Sequence, residues 1–69
     1  MHITVNGEPV AAVVDVDRCT VDELLVRLAL PLDRVAVEHN GVVVVRGLRP
    51  STEVSDGDML EVVTLVGGG

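Results

Sequence analysis

The 69-residue chain predicts an α+β roll, one main helix on one mixed sheet, with its elements in the order ββαβββ. Three observations carry that prediction. Two Asn-Gly dipeptides, Asn6-Gly7 and Asn40-Gly41, each separate two runs of strand-forming residues. Both central positions of a tight hairpin turn need φ > 0, which Asn and Gly tolerate best. Between the hairpins, Thr20-Val21-Asp22-Glu23 has the spacing of a capping box at the head of a single apolar stripe. After the second hairpin, the turn Asp56-Gly57-Asp58 leads into one more apolar run.

The elements follow in order. His2-Ile3-Thr4-Val5 alternates polar and apolar, as a half-buried strand does. Residues 8–14 read as the returning strand, with Pro9 near its start, where a missing N–H is best tolerated. Residues 15–19 form a polar connector. The helix begins at Thr20, whose hydroxyl accepts from the Glu23 N–H while the Glu23 carboxylate reaches back. Cys19 before the cap and Leu24 in the first turns fit a hydrophobic staple. Val21, Leu24, Leu25 and Leu28 lie on one helical face, and Glu23 and Arg27 form an i,i+4 pair on another. Pro31 disfavours α geometry at Leu30, so the helix is expected to run about 11 residues. Residues 34–39 and 42–46 flank the second Asn-Gly as a second hairpin. Residues 47–55, with Pro50, read as a connecting loop with room for one helical turn. Residues 59–66 form the last strand, which runs straight into Gly67-Gly68-Gly69.

This order is that of the β-grasp, or ubiquitin-like, roll, in which the first and last strands pair in parallel at the sheet centre. The expected organisation is a folded unit over 1–66 and a flexible glycine tail over 67–69. One helix covers only one face of a sheet, so the other face should alternate toward polar residues. Yet Val42-Val43-Val44-Val45 is apolar on both faces, and the last strand carries Leu60, Val62, Val63, Leu65 and Val66. Some of these side chains must lie on the uncovered face, and an exposed apolar patch marks a docking surface. Val63, Leu65 and Val66 are the docking candidates beside the tail.

Composition narrows the chemistry. The chain is 48% hydrophobic and 23% charged, a globular balance. It has no aromatic residue for base stacking, and 11 acidic against 5 basic residues leave a net charge of −6. Nucleic acid is therefore not an expected partner. No apolar run approaches the roughly 20 residues of a membrane span, and no secretory segment opens the chain, so a cytoplasmic location is expected. A domain this small buries only about 60% of its unfolded surface. It has little room to enclose a catalytic pocket of about 300–1,000 Å³.

The usual catalytic side chains form no constellation. His2 and His39 sit at strand ends without a second ligand at metal spacing. Asp56 and Asp58 flank a turn glycine but lack the further ligands of a calcium loop. Asp15 and Asp17 belong to the polar connector. Cys19, the only cysteine, has no histidine neighbour to activate it and suits a packed thiol. No metal site and no bound cofactor are expected, and the chain does not read as an enzyme.

The tail remains. Three terminal glycines bury no side chain and lose the most entropy if ordered, so they serve no packing purpose. They suit a substrate. A run without Cβ atoms threads a narrow channel and brings the Gly69 carboxylate to a nucleotide with no side chain in the way. Activation as an acyl-adenylate makes that carboxylate an electrophile, and sulfur transfer onto the acyl carbon gives a thiocarboxylate.

Over its whole length the sequence resembles the thiamine-biosynthesis sulfur carrier family, ThiS. The resemblance rests on Ile3-Thr4-Val5-Asn6-Gly7, Thr20-Val21-Asp22-Glu23-Leu24-Leu25, Val35-Ala36-Val37-Glu38-His39-Asn40-Gly41, and the ending from Asp56-Gly57-Asp58 through Glu61-Val62-Val63 to Val66-Gly67-Gly68-Gly69. It implies that an E1-like adenylyltransferase (ThiF-type) consumes ATP to adenylate Gly69. A cysteine desulfurase route then supplies sulfur, and thiazole synthase (ThiG-type) takes it into the thiazole ring of thiamine. Gly68 and Gly69 match the family's terminal pair, with Gly67 before them. Leu65 stands where members often carry an aromatic residue. The small subunit of molybdopterin synthase and a ubiquitin-like conjugation tag are the alternative readings. The absence of lysine excludes only lysine-linked chains on the protein itself.

Overall fold

The computed structural model describes residues 1–10 and 16–65. Strands β1 (Ile3–Val5) and β2 (Glu8–Val10) form the first hairpin, and a two-residue strand β3 (Cys19–Thr20) leads into helix α1 (Val21–Arg27). Strands β4 (Val35–His39) and β5 (Val42–Val44) form the second hairpin. A 3-10 helix (Arg46–Ser51), strand β6 (Glu53–Val54) and strand β7 (Met59–Thr64) complete the described residues. The main sheet has the order β2-β1-β7-β4-β5, while β3 and β6 pair separately. Strands β1 and β7 run parallel at its centre, Thr4 opposite Met59 and Val5 opposite Leu60, and every other pairing is antiparallel. This is the predicted β-grasp roll. Positions 11–14 of the strand expected over 8–14 lie outside the described residues. So do Val66, Gly67, Gly68 and Gly69, and with them the expected boundary between domain and tail.

Both Asn-Gly turns form as expected, with φ of 53° and 81° at Asn6 and Gly7 and 50° and 85° at Asn40 and Gly41. The capping box also forms: Thr20 Oγ1 accepts from the Glu23 N–H at 3.2 Å, and Glu23 Oε1 accepts from the Thr20 N–H at 2.8 Å. The Glu23 carboxylate is committed to that cap, and the expected Glu23–Arg27 ion pair is not among those of the described residues. The helix is shorter than expected, 7 residues. Ala29 turns into the left-handed region at φ 58°. Its N–H donates to Val26 O and the Leu30 N–H donates to Leu25 O, a Schellman closure. That closure uses Leu28, Ala29 and Leu30 before Pro31 is reached, which is why the helix stops at Arg27.

Val21, Leu24 and Leu25 are wholly buried against Ile3, Val35, Val37, Val54, Leu60 and Val62, and Cys19 closes the same core. Each buried leucine contributes about 2 kcal/mol. The stretch expected to be mainly loop is more ordered than its composition suggests. Strand β5 ends at Val44, so Arg46 opens the 3-10 helix rather than closing the strand. Arg49 in that helix is only 2% exposed. Its guanidinium donates to Val35 O at 3.1 Å and Leu32 O at 2.5 Å. Its Nε lies 2.9 Å from Asp22 Oδ1, at ion-pair distance but outside hydrogen-bond geometry. One side chain thereby ties the 3-10 helix, the first turn of α1 and the entry to β4.

Candidate functional site

Strand β7 is the element that leads toward the glycines, and it is held on both sides. Toward β4 its ladder runs from His39 opposite Leu60 to Val35 opposite Thr64, and the Leu65 N–H extends it by donating to Arg34 O at 2.6 Å. Toward β1 the ladder stops at Leu60, because β1 ends at Val5 and the chain turns. Asn6 takes over there. Its backbone N–H donates to Leu60 O at 2.8 Å. Its side chain accepts from the Val62 N–H at 2.7 Å and donates to Val62 O at 3.0 Å. One amide side chain thus substitutes for a missing strand residue and keeps β7 paired to within three residues of Leu65.

The face of the sheet away from α1 is open. Ala36 and Glu38 of β4, Val43 of β5 and Glu61 and Val63 of β7 all project there and are exposed. With Val37 they line a shallow hollow of about 90 Å³. The expectation that part of the valine set lies uncovered holds, with Val43 67% and Val63 59% exposed. Of the docking candidates, Val63 and Leu65 are exposed, and Val66 lies outside the described residues with Gly67, Gly68 and Gly69.

The structure brings together two residues that the sequence treated separately. His39 Nε2 and Asp58 Oδ2 are 2.6 Å apart. Asp58 also accepts from the Ser55 N–H at 2.8 Å and from Asn40 Nδ2 at 3.1 Å, while Asn40 Oδ1 accepts from the Met59 N–H. Partial burial pushes the Asp58 carboxyl up, but the hydrogen bonds from His39, Ser55 and Asn40 outweigh it and hold it below the ordinary carboxylate range. This cluster joins the start of β7 to the second hairpin. The strand's 6 residues separate it from Leu65 by about 20 Å, so it braces the fold at the end remote from the tail.

Burial pushes the Cys19 thiol up; Glu23 adds to the shift and Arg27 opposes it. Such a thiol is a poor nucleophile and fits the packed role expected of it. Among the described residues no group of His, Cys, Asp or Glu is arranged to hold a metal ion, and no helix is long and apolar enough to cross a membrane. A hollow of about 500 Å³, open to solvent rather than enclosed, occurs beside β2, lined in part by His2, Pro9, Val10 and Met59. It lies at the sheet edge next to the undescribed segment 11–15, and its one carboxylate, Asp58, is already fully engaged.

Comparison with known proteins agrees with this geometry. A crystal structure of a thiamine biosynthesis protein from Geobacter metallireducens superposes with a TM-score of 0.86 over the whole of both chains at 40% identity. A protein called ycf40 from Pyropia yezoensis is 40% identical over all 69 residues, which make up 93% of that protein. A thiazole synthase from Magnetococcus marinus is 39% identical over the same 69 residues, and the chain spans only 20% of that protein's length. The sequence signature of the ThiS family matches residues 3–69, and the chain belongs to that family.

Proposed function

We propose that the protein is a sulfur carrier for thiazole formation in thiamine biosynthesis, with the Gly69 carboxylate as the reacting group and Gly67 and Gly68 as its leader. The carboxylate attacks the α-phosphorus of ATP on an E1-like adenylyltransferase and pyrophosphate leaves. Sulfide then adds to the acyl carbon and AMP departs with the bonding electron pair, leaving the thiocarboxylate. Where the nucleophile is instead a persulfide from a cysteine desulfurase route, the acyl disulfide first formed is cleaved by a thiol, which leaves as a disulfide with the sulfur donor. The thiocarboxylate passes its sulfur to thiazole synthase in the cytoplasm. On this reading the protein is a co-substrate and binds no cofactor of its own; ATP is consumed by its partner. Val63, Leu65 and Val66 form the contact nearest the tail.

The observation that carries the reading is the match to a thiazole synthase. A stretch similar to this whole chain makes up 20% of that protein, which supports a carrier that serves the enzyme's reaction. The thiamine biosynthesis protein of the same fold supports it, and both favour thiazole over molybdopterin chemistry. The bracing of β7 supports it further, because a strand paired up to Leu65 presents whatever follows from a fixed point.

The test is intact mass spectrometry after incubation with the cognate adenylyltransferase, ATP and sulfide. The expected products are an acyl-adenylate and then a species in which one oxygen is replaced by sulfur. Deletion of Gly69 should abolish both. A truncated protein that still carried sulfur would overturn the terminal-carboxylate mechanism.

A further inference from the structure

On the open sheet face, Glu38 and Glu61 are direct partners across the β4–β7 ladder. Like charges placed opposite each other in an antiparallel pair destabilise a sheet. Neither carboxylate has an ion-pair partner among the described residues: Arg18 pairs with Glu53, and Arg49 is buried against Asp22. The two side chains line one hollow with Ala36, Val43 and Val63.

We propose that this face docks a partner surface carrying one cationic side chain, an arginine or lysine, whose head enters the hollow between Glu38 and Glu61 while its stem and neighbours cover the surrounding valines. Charge selects this occupant. A second copy of the chain placed face to face would bring four carboxylates together on two molecules of net charge −6 each, so self-association is opposed. An arginine fork can donate to both carboxylates at once, and its apolar stem suits the valine walls. Apolar walls also exclude water, which strengthens the ion contact. The face continues through Val63 toward Leu65, so a partner seated on it also holds the chain where it leaves the sheet.

The proposal rests on the sulfur-carrier reading in one respect only, that the partners are the adenylyltransferase and the thiazole synthase. Binding of each purified partner is measured calorimetrically and by stopped flow for the wild type, Glu38→Gln/Glu61→Gln and Glu38→Lys/Glu61→Lys, from about 0.05 M to about 0.3 M salt. The glutamine pair should weaken Kd for at least one partner by roughly tenfold and flatten the salt dependence of association. The lysine pair should weaken it further, with recovery when the matching partner cation is changed to glutamate. The glutamine pair should melt no lower than the wild type, since it removes a like-charge contact; lost binding with unaltered melting therefore cannot be misfolding. If the wild type is thiocarboxylated and both partners bind the glutamine pair as tightly, the proposal is overturned and the carrier reading stands. If the wild type is not adenylated and binds neither partner, both fall. Sedimentation showing a wild-type dimer through this face would also overturn the proposal.

Discussion

The two Asn-Gly hairpin turns have the same sequence and nearly the same backbone, yet their asparagines do different work. Both grip β7. Asn40 reaches its first residue: its N–H donates to Met59 O, its Oδ1 accepts from the Met59 N–H, and its Nδ2 is turned to Asp58. Asn6 reaches the strand's middle and binds the N–H and C=O of Val62 with one amide. The Asn6 grip uses neutral groups only. The Asn40 grip adds to its neutral bonds with Met59 one to an ionised carboxylate that also holds His39. The same local chemistry therefore makes a pH-insensitive brace at the middle of β7 and one with a pH-sensitive part at its start. What a turn residue does depends on the strand its side chain meets.

Arg49→Met lies outside both turns and sets the scale. It strands Asp22 and the carbonyls of Leu32 and Val35, and chemical denaturation should show a loss of about 3–5 kcal/mol. Asn6→Gly keeps the positive φ and removes only the grip on Val62. Two hydrogen bonds are lost from partly buried groups, so about 2 kcal/mol should go, with faster hydrogen exchange at the Val62 N–H. Asn40→Gly also removes two side-chain hydrogen bonds, to Asp58 and from the Met59 N–H, but both are exposed to water, so it should cost only about 1 kcal/mol.

Acid separates the two braces. The Asp58 carboxyl lies below its unfolded value, so its contribution is present above about pH 4 and is lost as pH falls through the folded value. Acid denaturation of Asp58→Asn should lack that part of the wild-type slope, while Asn6→Gly should keep it. If Asn6→Gly altered the acid slope and Asp58→Asn did not, the contrast would be wrong. The smallest effect concerns Ala29. Asn6, Asn40 and Ala29 are the non-glycine residues with positive φ among those described, and Ala29 alone has no side-chain hydrogen bond in return. Ala29→Gly should stabilise the protein by about 0.5–1 kcal/mol in thermal melts.

Local sequence was enough for much of the fold. Asn-Gly pairs, the Thr20–Glu23 box and the i, i+3, i+4 stripe are short-range signals, and the hairpins, the helix start and the order of elements followed from them. The helix end is not legible because the Schellman closure depends on Ala29 adopting a conformation that alanine disfavours. The role of Arg49 is hidden because arginine in a Gly- and Pro-containing stretch reads as a surface residue; only folding surrounds it with Asp22 and two carbonyls.

The same division holds for the candidate site. Order and composition alone establish that an apolar strand-forming run leads into three glycines and that more valine is present than one covered face can use, since both are local properties. Folding sets the rest: Asn6 holds β7 where β1 runs out, His39 meets Asp58 at the start of that strand, and Glu38 faces Glu61 on the open sheet. These pairs are 56, 19 and 23 positions apart in the chain, and no local periodicity encodes register between strands that distant.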